Sequence, residues 1–419
     1  MDYSSGDKRR LSRAERRNFA GGLWHGAFLA LGMALTQPTT VLAAFIADLT
    51  GSTVWVGGLS TVLGVADALP KLFVARWLEP RPRKMPFLLR AVYLRVASWG
   101  VLALLIHTVS SSRPELLAWT LVGLLVIFYA GGGLGAVAYT DIVGKVIPPH
   151  RRGVFFGGKE ALAGPLAVAA ALAARHILAT VAYPGGYALL FALAAAGLAV
   201  ASIGFWIIRE PASSGGAQRP RPWHEYRSQV LATTRRLGPL VMVQWLTGFS
   251  LMALPFYVVY ARDRLSAPPE AIGWFLLAQV VGGVIANLLW SRLVDRAGSR
   301  EMLTWCAVTS AATPTAAVVL GDLGWQALLP VFFLAGAAFN GRKVGLDSAL
   351  LELAPVAERP TYAGVNTVLA LPIAFLPLLA GALLHYWSYP QLFSVTAGFI
   401  ALGAAWTRRL PARETVKSS

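Results

Sequence analysis

Long apolar runs alternate with short polar loops along almost the whole chain. A helix that crosses a bilayer needs about 20 predominantly apolar residues at 1.5 Å rise each. Twelve stretches approach or exceed that length: Phe19–Ile46, Thr53–Ala75, Met85–His107, Leu116–Tyr139, Phe155–Ile177, Tyr187–Ile208, Leu237–Tyr260, Ile272–Trp290, Leu303–Leu320, Trp325–Leu353, Tyr362–His385 and Leu392–Trp406. The ninth and tenth are parted only by Gly321-Asp322-Leu323-Gly324, which predicts a tight turn, and the last run is the shortest. The pattern predicts an all-α, polytopic membrane protein with twelve transmembrane helices.

The loops between these runs are not alike. With the N-terminus placed in the cytoplasm, roughly 29 basic residues fall on that side, as the positive-inside rule demands. The other side holds Arg113, Arg175, Arg262 and Arg264. This predicts a multi-pass protein of the cell membrane with both termini cytoplasmic. The first apolar run is too long for a signal-peptide core and is expected to be a retained span. The longest polar stretch, from Arg209 to Arg236, is rich in Pro, Gly, Ser and Arg and reads as a flexible cytoplasmic linker. It divides the chain into an N-terminal bundle (1–208), the linker (209–236) and a C-terminal bundle (237–419), each bundle with six spans.

The two bundles echo one another. Pro38 in span 1 corresponds to Pro255 in span 7, and Glu79 after span 2 to Asp295 after span 8. Pro148, Arg152, Gly157 and Pro165 recur as Pro355, Arg359, Gly364 and Pro372, each 207 residues on. Weak symmetry at half-chain distance is a mark of repeat-built membrane transporters.

Composition narrows the reading further. Hydrophobic residues make up 56% of the chain and charged residues 14%, against about 25% charged in a soluble domain. The net charge of +17 sits in loop clusters without aromatic interleaving, so a nucleic-acid partner is not expected. The single cysteine, Cys306, lies in an apolar segment and reads as a buried filler. No metal-ligand cluster, cofactor motif or Walker-type phosphate loop is present. Asp141 and Asp347 stand apart in sequence, so the paired carboxylates of a membrane enzyme are missing and no enzymatic activity is expected.

The loop after span 8 is specific. It reads Ser291-Arg292-Leu293-Val294-Asp295-Arg296-Ala297-Gly298-Ser299-Arg300. It resembles the signature of the major facilitator superfamily, G-x-L-x-D-R-x-G-R-R, through Leu293, Asp295, Arg296, Gly298 and Arg300. The corresponding frame after span 2 keeps only Glu79, Arg83 and Lys84, although members of that family usually hold the stronger copy there. Pro148–Gly153 and Gly164-Pro165 resemble the family's approach to span 5 more weakly. Span 4, Leu121 to Tyr139, lacks the arginine typical of the family's proton-coupled drug antiporters. Its Gly131-Gly132-Gly133 and Gly135 point instead to close helix approach.

The resemblance implies two pseudo-symmetric six-helix bundles that rock about a central site. The physical basis for a gate is a carboxylate at a helix end accepting N–H groups at the positive start of a neighbouring helix, with arginines adding charge-assisted bonds. The expected cytoplasmic gate comprises Glu79, Arg83, Arg152, Asp295, Arg296, Arg300 and Arg359, with Asp295 near Arg152 and Gly153, and Glu79 near Arg359.

Ionised groups at membrane depth cost about 2.5–3.5 kcal/mol each on insertion scales and need a reason. Asp67 and Lys71 in span 2 are spaced i, i+4 with the acid first, which suits an ion pair; Asp67 is the candidate for ion coupling. Arg95, Arg342 and Lys343 are candidates for drawing in an anion. Among uncharged residues, Gln37, Tyr129, Gln244, Tyr257, Gln279, Asn340 and Asn366 are candidate cavity residues. Spans 1, 4, 7 and 10 line the cavity in the family, which ranks Gln37, Tyr129, Gln244 and Asn340 first. The expected function is secondary active transport of a small solute by alternating access, as an ion- or proton-coupled symporter or antiporter, with export of amphipathic compounds one form of it. An organic-anion transporter or facilitator is the alternative, and a non-transporting sensor or scaffold is the alternative of another class. The expected partners are a small molecule and the bilayer, with the protein monomeric.

Overall fold

A computed structural model describes residues 12–78, 81–109, 114–148, 151–212, 223–355 and 358–411. The described residues form helices and their connections, with no strand among them. In order, the α-helices are α1 (Arg13–Leu35), α2 (Ala43–Thr50), α3 (Thr53–Leu78), α4 (Met85–Val109), α5 (Pro114–Val146), α6 (Arg152–Thr180) and α7 (Gly185–Ile207). After the linker come α8 (Trp223–Ala253), α9 (Phe256–Leu265), α10 (Ala271–Leu320), α11 (Leu329–Leu353), α12 (Arg359–Ala370), α13 (Leu376–Leu383) and α14 (Tyr389–Trp406).

Nine helical stretches among the described residues are long and apolar enough to cross a membrane. One of them, Ala271–Leu323, runs for 53 residues, far more than one crossing uses. It is bent at Gly298, whose φ of 85° and ψ of 173° lie outside helical space. That conformation is open to glycine alone in practice, so the signature glycine marks the reversal between the expected eighth and ninth spans. α11 has 25 residues but carries Arg342, Lys343, Asp347 and Glu352, and α14 opens on Tyr389-Pro390-Gln391. These two are the expected spans that fall outside the nine.

Proline explains the broken helices. It lacks an N–H and its ring clashes with the carbonyl one turn back. Pro38 opens a π-turn, Pro38–Leu42, that joins α1 to α2. Pro255 caps the start of α9 and separates it from α8. The Pro38–Pro255 echo is therefore structural: the first and seventh spans are both interrupted. Pro372 likewise lies in a 3₁₀ stretch, Leu371–Phe375, between α12 and α13, whereas Pro165 leaves α6 unbroken.

Successive crossings alternate in direction, with α1–α2, α8–α9 and α12–α13 each a single interrupted crossing, which gives the bundle two ends. Among the described residues the linker end carries the joints at 81–84, 147–148, 208–212, 298, 354–355 and 407–411. The opposite end carries those at 51–52, 181–184, 266–270, 321–328 and 384–388. α1 packs on α6 and α7, and α4 on α5 and α7; α10 packs on α11 and α14, and α14 on α8. The two sets of helices meet where α3 lies on α13 and α6 on α10. Close approach at these seams needs small residues. Gly57 abuts the Pro377 carbonyl, Gly381 the Thr53 backbone, and Gly273 the backbone of Arg175, so that a side chain at any of them would collide.

Candidate functional site

Between the two sets of helices lies a cavity of about 590 Å³. The interrupted helices build much of its wall. Gln37, Pro38 and Thr39 come from the break after α1, and Leu254 and Pro255 from the break after α8. Asp67 and Ser60 come from α3, Tyr129 from α5, Gln244 from α8, Gln279 from α10, Arg342 from α11, and Asn366 and Thr367 from α12. Met33, Leu251, Phe339 and Ile373 supply apolar surface between these polar groups. Gln279 Nε2 donates to Thr39 Oγ1 at 3.0 Å and ties the two sets together across the site.

Of the expected cavity residues, Gln37, Tyr129, Gln244, Gln279, Arg342 and Asn366 line it, and so does the coupling candidate Asp67. Arg95 and Asn340 do not. The Arg95 guanidinium lies over the Phe128 ring, 4.3 Å from its centroid, and Nη2 donates to the Met33 sulfur at 3.6 Å. It therefore stands behind the wall that Met33 forms. The glycine run of α5 makes its room: a side chain at Gly131 would crowd Arg95, and one at Gly133 would strike the Asp67 carbonyl. Asn340 points into the α10–α11 seam, where Gly283 leaves space for its amide. Tyr257 is packed among aromatic rings, 5.0 Å from Phe393 by centroid. Thr39, Ser60 and Thr367 were not singled out from sequence, since isolated hydroxyls in apolar helices usually bond their own backbone.

Asp67 and Lys71 form the expected pair, with Lys71 Nζ 2.5 Å from Oδ2. Arg342 lies deep in the bundle but keeps some surface open to the cavity. Its Nη2 donates to the Gln244 carbonyl at 2.9 Å and its Nε to Thr247 Oγ1 at 3.3 Å. Tyr129 Oη, Gln244 Oε1 and Asn366 Oδ1 are buried polar atoms of the lining without a hydrogen-bond partner. His25 is buried: Nδ1 lies 3.2 Å from the Ala201 carbonyl and its ring packs at a tilt against Phe205. Cys306 is buried with Sγ 3.5 Å from the Ala338 carbonyl, as its apolar setting implied. Among the described residues no three His, Cys, Asp or Glu side chains gather to hold a metal.

At the linker end, the candidate gate residues are described in part. Glu79 lies outside the described residues, as does the side chain of Arg359. Arg83, Asp295 and Arg296 are exposed and Arg300 is half-buried. Arg152 donates from Nη2 to the Gly144 carbonyl at 2.9 Å and from Nε to the Ile147 carbonyl at 3.3 Å, capping the end of α5. Two helix starts at this end receive carboxylates that the sequence did not single out. Glu210 accepts from the Lys84 and Met85 N–H groups at 2.8 Å, at the start of α4. Glu352 accepts from the Ser299 N–H at 3.3 Å and its hydroxyl at 2.5 Å, where the second limb of α10 begins. Asp141 is not isolated, as its sequence position suggested: it pairs with Lys84 at 2.8 Å and Lys145 at 2.6 Å, and Lys145 reaches Glu210 at 2.8 Å. The reason is that α5 continues past Tyr139 to Val146 and brings Asp141 against the start of α4.

The opposite end holds a cross-set ion pair that sequence reasoning missed. Arg262 of α9 is paired with Asp48 of α2, and Tyr187 of α7 donates to the same carboxylate at 3.0 Å. Thr53 Oγ1 donates to the Gly381 carbonyl at 2.9 Å, and the Leu378 N–H to Thr61 Oγ1 at 3.3 Å. Only distance in sequence concealed the pair; both members sit within one turn of a predicted span's end.

Residues 240–419 match the sequence profile described as the Major Facilitator Superfamily. Uncharacterized proteins of Mycobacterium tuberculosis (Rv2209) and Mycobacterium bovis (Mb2232) are each 26% identical over 326 residues, 70% of this chain and 60% of theirs. The chain thus spans 60% of the length of these curated relatives. Among solved structures, a bacterial homologue of the iron transporter ferroportin in its inward-facing state is similar, with TM-score 0.68, 15% identity, and 96% of this chain and 99% of that one covered. The nucleoside transporter NupG has TM-score 0.63 and 12% identity over 95% of this chain and 99% of its own. At such identities the likeness is one of fold.

Proposed function

From a polytopic membrane protein of the major facilitator superfamily, we propose secondary active transport of a small solute by alternating access, without enzymatic chemistry. The observation that carries this reading is the polar cavity between the two sets of helices, closed at one end by the Asp48–Arg262 pair. A site held at the interface of two repeats, lined by interrupted helices, is what alternating access requires. In this reading the linker end, where the basic loops gather, lies in the cytoplasm. The described closure is then extracellular, and the protein faces inward. Twelve crossings, with α11 and α14 among them, fit both termini on the cytoplasmic side.

Asp67 is the coupling group in this reading. It lines the cavity and is bound to Lys71, which sits one turn nearer the linker end. A lysine on a flexible stem can pair with the carboxylate in one state and withdraw in the other. The availability of Asp67 to a coupling ion would then follow conformation, which ties transport to an ion gradient such as that of protons. In proteoliposomes, Asp67→Asn is expected to abolish accumulation driven by a pH gradient while leaving counterflow exchange intact. Gradient-driven accumulation at the wild-type rate would remove Asp67 from coupling. A protein that exchanges no solute in either form would sink the transport reading itself and favour a sensor or scaffold.

A further inference from the structure

We propose that the cavity seats an organic anion, with the Arg342 guanidinium as the anion's contact; this rests on the transport reading above. The charged residues lining the cavity are Asp67 and Arg342. Asp67 is already matched by Lys71. Arg342 is different: the bonds the structure gives it go to a backbone carbonyl and a hydroxyl, both neutral. A guanidinium that borders the cavity deep in the bundle and is partnered by neutral oxygens has no counter-charge in the bonds it makes. Its planar fork is suited to a carboxylate or sulfonate.

The surroundings favour the same occupant. Gly248 keeps open the place where the guanidinium lies; a side chain there would come within 3.3 Å of Arg342 Nη2 and 2.8 Å of Ile373. Arg95 adds positive charge one layer behind the wall. A metal ion is poorly served. Its one carboxylate on the wall is taken by a lysine, and no three candidate ligands gather among the described residues.

The rest of the lining describes the body of that anion. Gln244, Asn366 and Tyr129 present buried polar atoms that lack partners within the protein, so groups able to hydrogen-bond are wanted. Met33, Leu251 and Phe339 provide apolar wall between them. A volume of about 590 Å³ holds an organic molecule of drug-like size rather than an inorganic ion. The class is a monovalent amphipathic carboxylate or sulfonate.

Thermal stability of the purified full chain tests this with four probes of one shape: 2-naphthoate, 2-naphthalenesulfonate, neutral 2-naphthamide and cationic 2-naphthylmethylammonium. The two anions are expected to raise the melting temperature in a saturable way, with the amide at least about tenfold weaker and the cation inactive. Arg342→Gln should remove that preference, and Arg342→Lys should keep part of it. Should Arg342→Gln fold poorly, Asn366→Asp places a competing negative charge in the cavity without touching the bonds of Arg342, and should weaken both anions about tenfold. Equal binding of amide and anion, preference for the cation, or no binding of any probe by the wild type each overturns the anion seat. The transport reading is judged separately by solute exchange in proteoliposomes: anion binding without exchange sinks transport alone, and exchange without anion preference sinks the anion seat alone.

Discussion

Gly298 is the residue where a single atom decides most. Its φ of 85° lets two long helices reverse against each other. A Cβ in that region of backbone space costs about 1–3 kcal/mol. Gly298→Ala is therefore expected to lower the melting temperature of the purified protein. Gly100, in the interior of α4 with open space around it, is the control. Gly100→Ala should leave stability unchanged or raise it by up to about 1 kcal/mol, since alanine is the better helix former. A melting temperature for Gly298→Ala equal to that of the control would show that the bend does not depend on glycine. Gly133 is a second such position, limited by contact rather than by backbone angle. Its missing side chain lets α5 sit on the Asp67 carbonyl. Gly133→Val should cost about 1–3 kcal/mol through overpacking and shift Asp67 from its place on the wall, which a cavity-directed probe would read as weakened binding.

At the level of helices, the closed end is an ion pair carried on short helical pieces. Asp48 sits on the eight-residue α2 and Arg262 on the ten-residue α9, both created by prolines. Truncating one partner of a partly buried pair leaves the other charge stranded, so each single change costs more than the pair contributes. Arg262→Gln and Asp48→Asn are each expected to loosen that end. A cysteine at Thr39 should then be labelled faster by a membrane-impermeant maleimide added outside. The native Cys306 is buried and contributes little background. The doubly exchanged protein, with Arg at 48 and Asp at 262, should slow labelling again. Labelling unaltered in all three variants would mean that the pair does not hold the end shut. The linker end is a different kind of structure. Its Lys84, Asp141, Lys145 and Glu210 network lies within α1–α7 and their flanks and stiffens that set.

For the whole molecule, the prediction concerns motion between the two sets. If the signature loop helps close the linker end when the opposite end opens, Asp295→Asn should slow transport severalfold with little change in melting temperature. Wild-type turnover in that variant would confine Asp295 to setting topology. A reporter fused after Ser419 should read as cytoplasmic; an external reading would sink an even number of crossings and the orientation proposed for the cavity.

The alternation of apolar runs and basic loops was sufficient for the class of fold, because lipid leaves an α-helix little alternative and makes each run legible on its own. The paired prolines Pro38 and Pro255 were legible too, since a proline lacks an N–H and strains a helix by local chemistry, although Pro165 shows that a helix can continue through one. Asp67 could be named as a coupling candidate and Arg342 as a cavity candidate because charged groups at bilayer depth are costly and therefore conspicuous, whereas Gln37, Tyr129 and Gln244 were ranked by the family resemblance. Which way such a group faces is another matter. Arg95 and Arg342 look alike in sequence, yet one lies behind Met33 and the other opens on the cavity, because helix rotation is set by neighbouring helices through glycines such as Gly131 and Gly248. Asp48 with Arg262, and Asp141 with Lys84, are joined over long stretches of chain. Only the packing of distant helices decides such pairs, and the energy of an ion pair depends on a separation in space that no pattern along the chain encodes.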